Sequence, residues 1–217
     1  MSATTAPEAK RVSYVRIAVW PIVAALLVIG VIYAVLSDNL RVGPPWLLLV
    51  FNVIAIAIFG VNRLRGRAPL HPAIGRVVAL VVTAAVAASV IGLLSGLPGS
   101  RTPAPTLLRD AALLWITNVL TFALWYWEID GGGPRRRHGH PYRSTDFVFP
   151  QLVGEDQSVD WWPTFIDYLF LAFNTSTAFS PTDTAVLSRR AKVLTMIQAS
   201  LSLLIIAVLA ARAINTL

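Results

Sequence analysis

Cysteine is missing from this 217-residue chain, which excludes disulfides and thiolate-held metals. Charge is scarce as well: 13% of residues are Asp, Glu, Lys or Arg, against about a quarter in soluble domains. So little polar surface cannot face water on every side, and 56% hydrophobic residues with a mean hydropathy of +0.66 point to a membrane protein. The net charge of +7 sits in short loops between apolar runs, as membrane proteins carry it, so no nucleic-acid partner is expected. Catalytic patterns are lacking too. There is no His-Glu metal motif, no phosphate-cradling glycine loop and no cluster of carboxylates at membrane depth. The three histidines lie in loops, and His138-Gly139-His140 has no third ligand for a metal. Neither enzymatic activity nor a cofactor is expected.

Apolar runs are what the sequence has instead. Val15–Leu36, Trp46–Val61, Ile74–Leu97 and Leu107–Trp127 fill the first half, and a helix needs roughly 20 residues to cross a bilayer. Thirteen of the fourteen prolines fall outside these runs; Pro21 lies near the start of the first, where its missing N–H costs least. Six of seven tryptophans sit at or near run ends, where an interfacial belt wants amphipathic rings. The first run follows Lys10 and Arg11 but is too long for a signal-peptide core and lacks a small-residue cleavage site, so it reads as a retained helix.

After Trp127 the pattern changes. Glu128-Ile129-Asp130 and three glycines end the fourth helix, and a polar, Arg-rich loop runs to Trp162. Pro163 then opens a short apolar segment ending in Asn174-Thr175-Ser176-Thr177, followed by the polar break 180–184 and a last span near Val193–Ile214. Phe165–Phe179 would give about 22 Å of helix, short of the roughly 30 Å hydrocarbon core. The expected fold is an all-α polytopic bundle: five spanning helices plus a re-entrant half-helix, or six spans. Its parts are a disordered cytoplasmic tail (1–13), a four-helix region (14–127), the polar loop (128–162) and the hairpin with the last helix (163–217).

Basic residues set the orientation. With the N-terminus inside, Lys10, Arg11, Arg16, the arginines at 63, 65, 67 and 76, and those at 135–137 and 143 are cytoplasmic. Only Arg41, Arg101 and Arg109 fall on the other side among the first four spans. Arg189, Arg190 and Lys192 join the cytoplasmic group only if the hairpin is re-entrant. The expected location is a bacterial inner membrane, with the basic loops on anionic lipid headgroups.

The stretches Phe122–Glu128, Asp146–Gln151, Asp167–Asp183 and Ala211–Asn215 resemble a family of uncharacterised bacterial integral membrane proteins. Over 107–217 the chain is distantly similar to the pore module of two-helix potassium channels. The resemblance implies outer helix, half-helix, filter-like loop and inner helix, assembled as a homo-oligomer, with a monovalent ion as candidate cargo. The glycine-containing filter is lacking: no glycine follows Gly154, and Pro181 interrupts Thr177–Asp183. Carbonyl selection of the potassium kind therefore has no counterpart here.

Candidate filter-like residues are Asn174, Thr175, Ser176, Thr177, Ser180, Thr182 and Asp183; candidate pore-lining residues are Asp167, Thr195, Gln198 and Ser202. Each has a plainer reading. The hydroxyls and amides glue helices together, Asp167 sits where a helix dipole favours an anion, and Asp183 caps a turn or pairs with Arg189 or Arg190. Thr117, Asn118 and Thr121 form a matching patch on the fourth helix. Ala84, Ala88, Gly92 and Gly96 recur every fourth residue as a packing ridge. Function then divides between a channel-like protein passing ions or small polar solutes and a non-transporting membrane scaffold or assembly protein.

Overall fold

The computed structural model describes residues 19–65, 73–95, 103–134, 146–153, 161–177 and 183–214. The N-terminal tail, the basic run 135–145, Gly96, Ser180 and Thr182 lie outside them. The chain is mostly helical, and six α-helices occur among the described residues: α1 Trp20–Val35, α2 Leu47–Leu64, α3 Ala73–Ser95, α4 Ala104–Ile129, α5 Phe165–Thr177 and α6 Arg189–Ile214. Three of them, α3, α4 and α6, are long and apolar enough to cross a membrane, and α1 and α2 are shorter apolar helices.

The breakers act where the sequence places them. Pro21 lies in the first turn of α1 and Pro105 in that of α4, positions with no helical N–H to lose. The glycine triplet stops α4: Gly131, Gly132 and Gly133 take φ of 62°, 80° and 104°, a conformation other residues adopt at a cost. One departure from an all-α reading is a two-residue antiparallel bridge, β1 (Phe147–Val148) with β2 (Ala185–Val186), pairing Phe147 with Val186 and Val148 with Ala185.

At the centre of the bundle lies α4. Asp110, Leu114, Asn118, Phe122, Tyr126 and Asp130, every fourth position, are each no more than 1% exposed. Such a row winds slowly round a helix, so it meets a succession of neighbours. Near its start it meets the end of α1, where Ser37 donates 2.5 Å to Asp110 Oδ2. In the middle it meets α6, and at its end α5. Asp110 and Asp130 lie twenty residues apart, about 30 Å along a helix, which matches the hydrocarbon thickness. Both are buried carboxylates: Arg109 donates 2.8 Å to Asp110, and the Tyr168 hydroxyl donates 2.5 Å to Asp130.

Of the packing ridge, Gly92 lies against the short turn after α1, where an added Cβ would stand 3.2 Å from the Asn39 carbonyl oxygen. Ala84 and Ala88 line an apolar groove of about 380 Å³ shared with Leu47, Leu48 and Phe51 of α2.

Candidate functional site

The 13 residues of α5 rise about 20 Å. Its first turn is built by Asp167, whose Oδ2 accepts from Thr164 N at 2.7 Å and Thr164 Oγ1 at 2.8 Å; this carboxylate caps the helix. Phe165, Tyr168, Leu171 and Ala172 turn inward. Near that end, Trp127 packs edge-on against Phe165 and Tyr168, with centroids 6.3 and 5.6 Å apart. Farther along, Phe173 meets Trp115 at 5.7 Å. The helix thus runs back along α4 from its C-terminal end toward its middle. By Ala185 the chain has returned to pair with Val148, ahead of α5.

Gln198 holds the deep end of α5. Its Nε2 donates to Ala172 O at 2.6 Å and to Ser176 Oγ at 2.7 Å, and its Oε1 accepts from the Tyr126 hydroxyl. One fully buried amide thus joins α4, α5 and α6. One turn deeper, Asn118 Nδ2 donates 2.8 Å to Ser202 Oγ. Asn118 Oδ1 is buried and has no hydrogen-bond partner among the described residues. Three threonine hydroxyls donate within their own helices: Thr117 to Leu113 O at 2.8 Å, Thr121 to Thr117 O at 2.7 Å and Thr175 to Leu171 O at 2.9 Å.

Not all the candidate residues come together. Asn174, Ser176, Gln198 and Ser202 are buried inside the chain, while Thr175 and Thr177 are half-buried and Asp183 is exposed. Thr195 does not join the Gln198 cluster; its hydroxyl donates 2.9 Å to Lys192 O. Arg190 does not pair with Asp183 either. It grips Asp146, with Nε to Oδ1 at 2.7 Å and Nη2 to Oδ2 at 2.6 Å, and Nη2 also reaches Ile129 O at 3.1 Å. Asp146 further accepts from Ser188 Oγ and from Gly131 N at 3.3 Å.

No family model matches the sequence, and no curated protein or solved structure does either.

Spacing along α4 was the available signal for Asp110, Tyr126 and Asp130, which fall with Asn118 on the every-fourth row. Asp146 carries no such signal, because its partner Arg190 lies 44 residues away across a loop and a helix. Among the described residues no group of three His, Cys, Asp or Glu side chains is placed to hold a metal ion.

Proposed function

We propose that the chain is an integral membrane protein in which α5, the segment that follows it and α6 act as a channel-like module. In this reading it passes ions or small polar solutes as a homo-oligomer. One observation carries the reading. A helix about 20 Å long runs inward along α4, and the chain is back beside its own start at the Val148–Ala185 pair. That course supports five spans and a re-entrant half-helix, with the N-terminus and the polar loop cytoplasmic and the C-terminus outside. Backbone of this kind is tolerated at membrane depth where protein or a wet cavity surrounds it.

A single half-helix encloses no pore, so several copies must converge. Because Asn174, Ser176 and Gln198 are buried within one chain, Thr177 and Asp183 are the groups each copy offers to the shared path. Proteoliposome flux tests this: wild type passes a small cation or polar solute, and Asp183→Asn or Thr177→Val changes the rate. A wild type as tight as empty vesicles removes the transport reading.

The second reading, a non-transporting scaffold or assembly protein, draws support from Gln198. Its amide is fully used inside the chain, as in a dry packing contact. It predicts no flux together with a stable monomer or a co-purifying partner.

A further inference from the structure

We propose that Asp146 and Arg190 form a latch that straps the segments flanking α5 to each other and to the end of α4, and that this latch controls whether the hairpin is held closed. The inference rests on the hairpin reading of α5.

Asp146 uses all of its polar atoms across this junction. Its N–H donates to Asp130 Oδ1 at 3.3 Å, its carbonyl accepts from Leu187 N at 2.9 Å, and its carboxylate takes Arg190, Ser188 and Gly131. Arg190 stands in the first turn of α6 and also binds Ile129 O, at the C-terminal end of α4. One ion pair therefore ties the end of α4, the entry to α5 and the start of α6. The backbone pairing it supports is only two residues per strand, too little to hold alone. The carboxylate is buried while the Arg190 side chain is 52% exposed, so one partner is within reach of the aqueous face. Removing Arg190 would leave the buried Asp146 carboxylate without its cation, so opening the strap carries an energetic cost.

The cysteine-free chain makes the strap measurable. Paired strand residues stand roughly 4.5–5.5 Å apart at Cα, within disulfide range. In the full-length protein in proteoliposomes, Val148→Cys with Ala185→Cys cross-links rapidly under mild oxidant. Adding Asp146→Asn or Arg190→Gln slows that cross-linking about tenfold or more. Adding both recovers part of the rate, because the buried carboxylate at position 146 is then gone together with its cation. The latch is overturned if cross-linking is equally fast in all backgrounds. It is also overturned if the single and double variants all lose helical circular dichroism, which makes the pair a folding requirement only. Flux separates the two ideas: a strap that opens in vesicles that never conduct keeps the latch and removes the pore, and flux that ignores the strap removes the latch.

Discussion

Gln198 donates to the carbonyl of Ala172 at 2.6 Å, in the last turns of α5, so a side chain of α6 holds the C-terminal part of that helix in place. The same amide takes the Tyr126 hydroxyl and gives to Ser176, so three helices share one group. A polar hub of this kind sets register where apolar packing alone would let helices slide.

Gln198→Leu should therefore cost about 1–2 kcal/mol of unfolding free energy, since Tyr126 and Ser176 lose partners in a buried place. Unfolding in mixed detergent micelles measures it. A variant as stable as wild type would show that the hub contributes nothing to stability.

Asp110 is buried at the opposite end of α4 and holds Arg109 and Ser37. Asp110→Asn weakens charge-assisted bonds and should cost about 1–3 kcal/mol. Ser37→Ala should cost less, because the arginine remains. Melting temperatures of the two purified variants rank them; the reverse order would mean that the Ser37 bond, which joins the end of α1 to α4, contributes more to stability than the Arg109 pair within α4.

Glycine substitutions separate close packing from idle flexibility. A Cβ on Gly30 would stand 2.8 Å from the Leu49 Cα, which is backbone and cannot swing aside. Gly30→Ala should force α1 from α2 and destabilise by about 1–3 kcal/mol. Gly60 has nothing within 4 Å of that position, so Gly60→Ala should be neutral or stabilise by up to about 1 kcal/mol. Equal effects at the two sites would contradict the α1–α2 contact.

The helical class and its apolar runs were legible because lipid demands long apolar helices and nearly all the prolines fall outside them; Pro21, Pro105 and the 131–133 glycines act at helix ends as expected. The shortness of α5 was legible from length alone. Which polar residues would meet was legible only in part: the α4 patch and the α6 stripe do meet through Asn118 and Ser202, while Thr117 and Thr121 donate within α4. Thr195, Gln198 and Ser202 share a sequence periodicity, yet only Gln198 and Ser202 reach α4 and α5, because α6 buries one narrow face while Thr195 sits at its margin. The Asp146–Arg190 pair and the β1–β2 bridge were invisible because both depend on the chain turning back, which periodicity does not encode.

That turn is open to a direct test of sidedness. Trp162 lies just before α5 and Ala185 just after the return, and Ala185 pairs with Val148 on the entry side. Single cysteines at 162 and 185 should therefore react with a membrane-impermeant thiol reagent from the same side. The charge pattern predicts labelling of both in inverted vesicles and of neither in intact cells. A cysteine replacing Phe170, which is 62% exposed on the outer face of α5, should stay unlabelled from both sides, as the proposed membrane placement requires. If positions 162 and 185 label from opposite sides, the chain passes through the bilayer between them. The hairpin then becomes a sixth span, and the pore reading loses its basis.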